Sequence, residues 1–152
     1  MSRLYDHDIK TSLKTKLDAE FNTMLATIRT ERSDTTIPDA NNITISTLTY
    51  NYPEITIDID GESEIPDELL SDDIDLEPEI FPVRINAIIM TLSNSISSYA
   101  DYYNEAFKRV LHGCSITGFT WCRVKKTRQQ ELIDENMQTY RSCGVDLEVR
   151  IN

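Results

Sequence analysis

The segment Thr56-Ile57-Asp58-Ile59-Asp60-Gly61 imitates the first half of a calcium-binding EF-hand loop, with Asp67 at the twelfth position. Three features weaken that match. Thr56 stands where the first carboxylate belongs, Asp67 replaces the bidentate closing Glu, and strand-like alternation rather than a helix leads in. The segment reads first as a solvated charged stretch. Other chemistries find fewer residues still. His7 lies near the N-terminus, and His112 falls in the last turn of a predicted helix, where a cation suits the dipole. Neither has a nucleophile at motif spacing. Cys114, Cys122 and Cys143 form an odd set without the paired spacing of a zinc knuckle, so they read as free, mostly buried thiols of a reducing compartment. The four glycines are not spaced to cradle a phosphate. No nucleophile, base and orienter can be assembled, and the expectation is a protein without catalysis, cofactor or metal.

The charge is more informative. Of 152 residues, 26 are acidic and 15 are Lys or Arg, a net charge of -11. The window Ser33–Val83 holds fourteen acids and no Lys or Arg, so it carries -14 and the remainder +3. Its densest part, Asp60–Glu79, has ten acids in twenty residues. Burying such a run costs too much desolvation, so it is expected to be a solvated loop inserted in a single domain spanning residues 1–152. A field of this sign disfavours duplex binding, which rests on Lys and Arg neutralising phosphates. It suits a surface that must not stick to nucleic acid, or one that meets a basic partner. The one basic cluster is Arg123, Lys125, Lys126 and Arg128, in and after a predicted strand. Arg123 and Lys125 are expected on one face, with Lys126 and Arg128 opposite or in a turn. The cluster is a candidate contact for an acidic partner surface or for DNA passing by, set against ordinary solvated charge.

The elements that position these residues follow from periodicity. Ile9, Leu13, Leu17, Phe21, Met24, Leu25 and Ile28 fall at steps of three and four, one stripe of a helix over 8–32 that Asp6 or Asp8 can cap. Scattered apolar residues from Ile43 to Tyr52 give a weak strand or extended arm. Pro53–Asp60 alternates as a strand, and Phe81–Leu92 is nearly continuous and β-branched, as expected of a strand covered on both faces. Ser97 or Ser98 begins a second helix, with Tyr99, Tyr102, Tyr103, Ala106, Phe107, Val110 and Leu111 on one face and Gly113 as a left-handed cap. Those aromatics could be read as a stacking platform for bases, but helical spacing makes them core first. Gly118–Lys126 reads as a strand, TRQQELIDEN as a turn with part of a strand or as a short helix, and Tyr140–Ile151 as a half-buried strand. The sum is an α+β domain: an antiparallel or mixed sheet of four to five strands, two main helices packed on one face, and a long acidic hairpin loop. No apolar run approaches the length of a membrane span, and the first ten residues lack a secretory signal's apolar stretch, so the chain is expected to stay where it is made.

The succession of a long helix, the strand YPEITID, a broad loop, the strand FPVRINAIIMTL, the helix SSYADYYNEAFKRVLHG and a final GVDLEVRI strand resembles the lambda-type tail terminator proteins of long-tailed bacteriophages and related head–tail joining proteins. The likeness is one of pattern and length from Asp8 onward, and the acidic loop departs from the shortest members. It implies a non-catalytic virion protein, made in the host cytoplasm, that forms a hexameric ring on the tail tube protein. Such a ring ends tube polymerisation and presents a face to the head connector. By that analogy the acids Asp60, Glu62, Glu64, Asp67, Glu68, Asp72, Asp73 and Asp75 face the lumen or a partner ring. DNA then passes without specific binding, while Arg123 and Lys125 offer a contact. A neck protein joining portal to tail is the alternative within this class. A small acidic regulatory or DNA-mimic module is the alternative outside it.

Overall fold

The computed structural model describes residues 4–66, 78–90, 96–133, 135 and 138–151. Helix α1 (Asp6–Arg32) leads into β1 (Asn42–Ile45), β2 (Glu54–Ile59) and β3 (Glu79–Met90); helix α2 (Ile96–Leu111) then precedes β4 (Trp121–Ile133) and β5 (Thr139–Ile151). The strands form one sheet in the order β1-β2-β3-β5-β4. Among the described residues β1 and β2 run parallel, and the other strand pairings are antiparallel. This is the expected α+β class with a mixed five-stranded sheet.

Alternation places the layers. In β3, Phe81, Val83, Ile85, Ala87 and Ile89 are buried while the residues between them are half-covered. Val145, Leu147, Val149 and Ile151 of β5 and Ile55 and Ile57 of β2 join the same core as both helix stripes. Helix α1, about 40 Å long at 1.5 Å per residue, contributes the ridge Ile9, Leu13, Leu17, Phe21, Leu25 and Ile28. Its first turn is closed by Asp8, whose carboxylate accepts the Tyr5 backbone N–H at 3.0 Å, with Tyr5 rather than an aspartate at the cap position. Ser33 ends it in the left-handed region at φ 51°. Helix α2 ends where Gly113 adopts φ 70°, as its sequence position implied.

The helices meet through aromatic rings. Phe21 lies 4.8 Å from Phe107 and 5.2 Å from Tyr103, centroid to centroid, the latter edge-on. Tyr103 is fully buried, and its hydroxyl donates to the Pro38 carbonyl at 2.7 Å; the Tyr99 hydroxyl donates to Thr36 Oγ1 at 2.8 Å. Those two bonds tie the segment after α1 onto α2. Tyr99 and Tyr103 are core residues with polar tips rather than a stacking platform, and Tyr102 packs half-buried against the same core. Burial also raises the Tyr103 phenol far above its ordinary pKa.

Three expectations change. First, β3 is covered by helices on one side only. Arg84 and Asn86 break its apolar run at period two and hold the other side in reach of water. Second, the polar TRQQELI stretch, open between a turn with part of a strand and a short helix, is strand throughout, because β4 continues to Ile133 along β5. An edge strand wet on much of its surface has little apolar pattern to betray it. Third, His112 serves as more than a charge at a helix end: its Nδ1 accepts the Val124 N–H at 3.0 Å and fastens α2 to β4.

Phe107→Ala should cost about 3–5 kcal/mol, because the ring is fully enclosed and its loss leaves a cavity against Phe21. Lys108→Ala, one residue along with its side chain 48% exposed, should change stability by less than about 0.5 kcal/mol. Chemical denaturation of the two variants measures both. Equal small effects would show that the Phe107 face is not a core.

Candidate functional site

The side of the sheet away from the helices is built from charges in register. Reading across β2, β3, β5 and β4, one row runs Asp58, Arg84, Asp146, Lys126. Acid and base alternate, the favourable arrangement for directly opposed side chains. Asp146 is the hub, with a side chain only 16% exposed. Its carboxylate accepts from Arg84 Nε at 3.2 Å and from Arg128 Nε at 2.9 Å, with Lys126 Nζ at 3.4 Å. Burial pushes the Asp146 carboxyl up, but the hydrogen bonds and charges of the two arginines outweigh it and hold the group below the usual aspartate value. Arg84 also reaches Asp60 at 3.1 Å.

Arg128 crosses from β4 over β5 to β3, where it donates to Asn86 Oδ1 at 2.6 Å and the Ile85 carbonyl at 3.2 Å. The residue it crosses is Gly144, its partner in register. A Cβ at Gly144 would lie 1.9 Å from the Ile85 carbonyl oxygen, so no other residue fits without moving the backbone.

A bulge between Val124 and Lys126 corrects the expected facing of the basic cluster. The extra residue lets neighbouring lysines point the same way: Lys125 pairs with Glu148 at 2.9 Å and Lys126 with Asp146. Arg123, opposite Glu148, stacks 3.8 Å above the Trp121 ring. All four cations therefore share the open face, and Lys126 and Arg128 are not on the opposite side.

The predicted acids divide. Asp60 is drawn into the charge row, whereas Glu62 and Glu64 are exposed on the continuation of the β2–β3 hairpin. The Glu64 backbone pairs with Ile80 through two hydrogen bonds of 2.9 and 2.7 Å. Asp67, Glu68, Asp72, Asp73 and Asp75 lie outside the described residues. The structure thus brings Asp60 together with the basic strand's partners through Arg84, and leaves Glu62 and Glu64 at the hairpin end.

Sequence reasoning missed Glu54. Its carboxylate is fully buried and accepts the Thr49 N–H at 2.7 Å, the Thr49 hydroxyl and the Asn51 N–H at 3.3 Å. Burial alone would raise its pKa, yet these donors lower it. They hold a loop in which Tyr50 takes φ 64° and stands 73% exposed. Tyr50 meets Tyr52 at 6.4 Å, and Tyr52 meets Tyr140 at 5.3 Å. Met90, opposite Tyr140 in register, is 41% exposed, so this end of the open face is apolar where the middle is charged. The only signal was a Tyr-Asn-Tyr-Pro run before an acid.

A shallow cleft of about 360 Å³ lies on the open face between Arg84, Asn86, Arg128, Gln130 and Ser142. Its lining is polar, unlike the mostly apolar walls of small-molecule sites. Among the described residues no cluster of His, Cys, Asp and Glu is arranged to hold a metal ion, and no helix is long and apolar enough to cross a membrane. The arrangement suits protein contact: an ordered charged sheet face, a displayed tyrosine loop and an edge strand that pairs, among the described residues, with β5 alone.

No family model matches the chain, and no curated protein matches it. Among solved structures it is similar to a chain described as "Virion of native gene transfer agent (GTA) particle". The likeness covers 94% of both chains at a TM-score of 0.55 and 12% identity, and it is a likeness of fold.

Asp146→Asn removes the shared acceptor of Arg84 and Arg128 and should cost about 1.5–3 kcal/mol at neutral pH. Because the folded-state pKa is lowered, this stabilisation is present above the ordinary aspartate value of about 3.9 and is lost as pH falls through the folded value. Denaturation of both proteins between pH 7 and 3 should show the gap closing toward the acid end. A gap independent of pH would contradict the role given to the charge.

Proposed function

We propose that this chain is a non-catalytic structural protein of a phage-like particle. It sits as a ring on the last ring of tail tube protein, stops further tube addition and provides the joint to the head connector. The observation that carries the reading is the whole-chain fold likeness to a virion chain, 94% of both lengths. The order of elements that resembles lambda-type tail terminators supports it independently.

The surfaces are consistent with such work. A ring subunit needs contacts to two neighbours in the ring and to layers above and below, and it needs no enclosed site. The open sheet face, the Tyr50 loop and the β4 edge supply distinct contact regions on one small domain. With -11 per copy, DNA passing through the ring meets repulsion rather than a binding track. That repulsion acts within a Debye length of about 8 Å at physiological salt, the distance scale of a pore wall.

Particles lacking this protein should show filled heads and tails that are abnormally long or irregular, because nothing competes with tube addition. Electron microscopy of a null mutant measures this. Tails of normal length that fail to join heads would replace the terminator reading by the neck-protein reading. Intact infectious particles would sink both.

A further inference from the structure

We propose that Cys114 and Cys122 are a redox pair: Cys114 exchanges with a small-molecule disulfide, and Cys122 then displaces that group to close an intramolecular disulfide. The pair goes beyond the ring reading and does not rest on it.

The junction between α2 and β4 brings the two thiols together. Helix α2 ends at Leu111, Gly113 turns the chain at φ 70°, and Cys114 follows directly. Cys122 is the second residue of β4. The Gly113 N–H donates to the Cys122 carbonyl at 2.8 Å, and the Val124 N–H donates to His112 Nδ1 at 3.0 Å. Residues 112–114 therefore lie alongside 122–124, pinned at two points. Backbones in such contact approach to about 5 Å, inside the range of about 4.4–6.8 Å between Cα atoms that a disulfide accepts. The side chains span the remaining gap, for the Cys122 thiol donates a hydrogen bond to the Cys114 sulfur.

Their surroundings give the two sulfurs different roles. Cys122 is fully buried and Cys114 is half-buried, so a reagent from solution meets Cys114 first. The hydrogen bond from Cys122 holds the Cys114 thiol below its ordinary pKa although burial opposes it, and the ammonium of Lys16 on α1 adds to the lowering. Glu20, the ion-pair partner of Lys16, acts weakly the other way. The same hydrogen bond, together with burial, raises the Cys122 thiol, which stays protonated until its partner has reacted. A partly exposed thiolate near a cation is the reactive kind of cysteine, and a neutral thiol in contact with it is placed to resolve the product. Cys143 is a control within the same chain: fully buried on β5, its thiol is pushed up to about 12 by burial.

The exchange balances in two displacements. The Cys114 thiolate attacks one sulfur of the small disulfide, forms a mixed disulfide and releases the other half as a thiolate. That thiolate takes the Cys122 proton, and the Cys122 sulfur attacks the Cys114 sulfur, expelling the second half as a thiolate. Two electrons pass from the protein to the reagent, and the new bond ties the end of α2 to the start of β4.

The test incubates the reduced full chain with oxidised glutathione. Samples are quenched in acid, unfolded, alkylated with a maleimide and digested for mass spectrometry. The unaltered chain should pass through a glutathione mixed disulfide on Cys114 to a Cys114–Cys122 link within single copies, with Cys143 alkylated throughout. Cys122→Ser should stop at the mixed disulfide on Cys114. Cys114→Ser should leave Cys122 free for alkylation, its reaction with glutathione slowed roughly tenfold or more by burial. Circular dichroism checks that both variants remain folded, and if either does not, the product formed by the unaltered chain decides. Glutathione that stays on Cys114 of the unaltered chain, a link made to Cys143 or between copies, or a Cys122 that reacts as fast without Cys114 would overturn the pair.

Discussion

One carboxylate, Asp146, holds the open side of the sheet in order. Three of the four strands that build this face send a side chain to it or carry it: Arg84 from β3, Lys126 and Arg128 from β4, and Asp146 itself on β5. A carboxylate drawn this far from water is unfavourable unless its oxygens are occupied, and two guanidinium groups occupy them. Remove it, and Arg84 on one side of β5 and Lys126 and Arg128 on the other are left with no acid between them. The Arg128 crossing depends on it too, and it passes over Gly144, where the Ile85 carbonyl leaves no room for a side chain.

The origin of the arrangement is that the sheet has helices on one side only. The core formed by α1, α2 and the inward residues of the sheet is a single apolar layer, anchored where Phe21 meets Tyr103 and Phe107. Among the described residues no second layer covers the other side, and its polar side chains satisfy one another laterally. Charge alternation along a row does this, and it also discourages the open face from collapsing onto apolar surfaces at random. The apolar end near Tyr50, Tyr52 and Tyr140 departs from that rule. There a buried Glu54 holds a left-handed tyrosine outward, and conformational strain kept in place by three donors is a feature that stability alone does not call for.

What was legible in the sequence was local. The stripes of α1 and α2, the Gly113 cap and the alternation of β5 depend on near neighbours, and all are present. Features that depend on distant pairing were not legible. The parallel β1–β2 pair joins strands whose sequences are short and mixed. The length of β4 was hidden because an edge strand of Thr, Arg, Gln and Glu has no buried face to mark it. The bulge at Lys125 is a property of register, and it moved two cations to the other side. Glu54 was hidden by its company, since an acid in an acidic region gives no sign of being the buried one. The basic cluster itself was visible as composition; its attachment to Asp146 and Glu148 was not.

Net charge and charge placement act at different levels here. A total of -11 sets how the molecule meets DNA and how strongly free copies repel. Placement sets which surfaces of two copies attract once they are close, because screening confines each contact to about 8 Å. A chain uniformly acidic on all sides would only repel its copies. This chain instead concentrates -14 in the window 33–83 and leaves +3 elsewhere, with the basic strand at the sheet edge away from the hairpin. Polarity of that kind is directional. Surfaces of like sign are kept apart by it, because acid would meet acid, while surfaces of unlike sign are not.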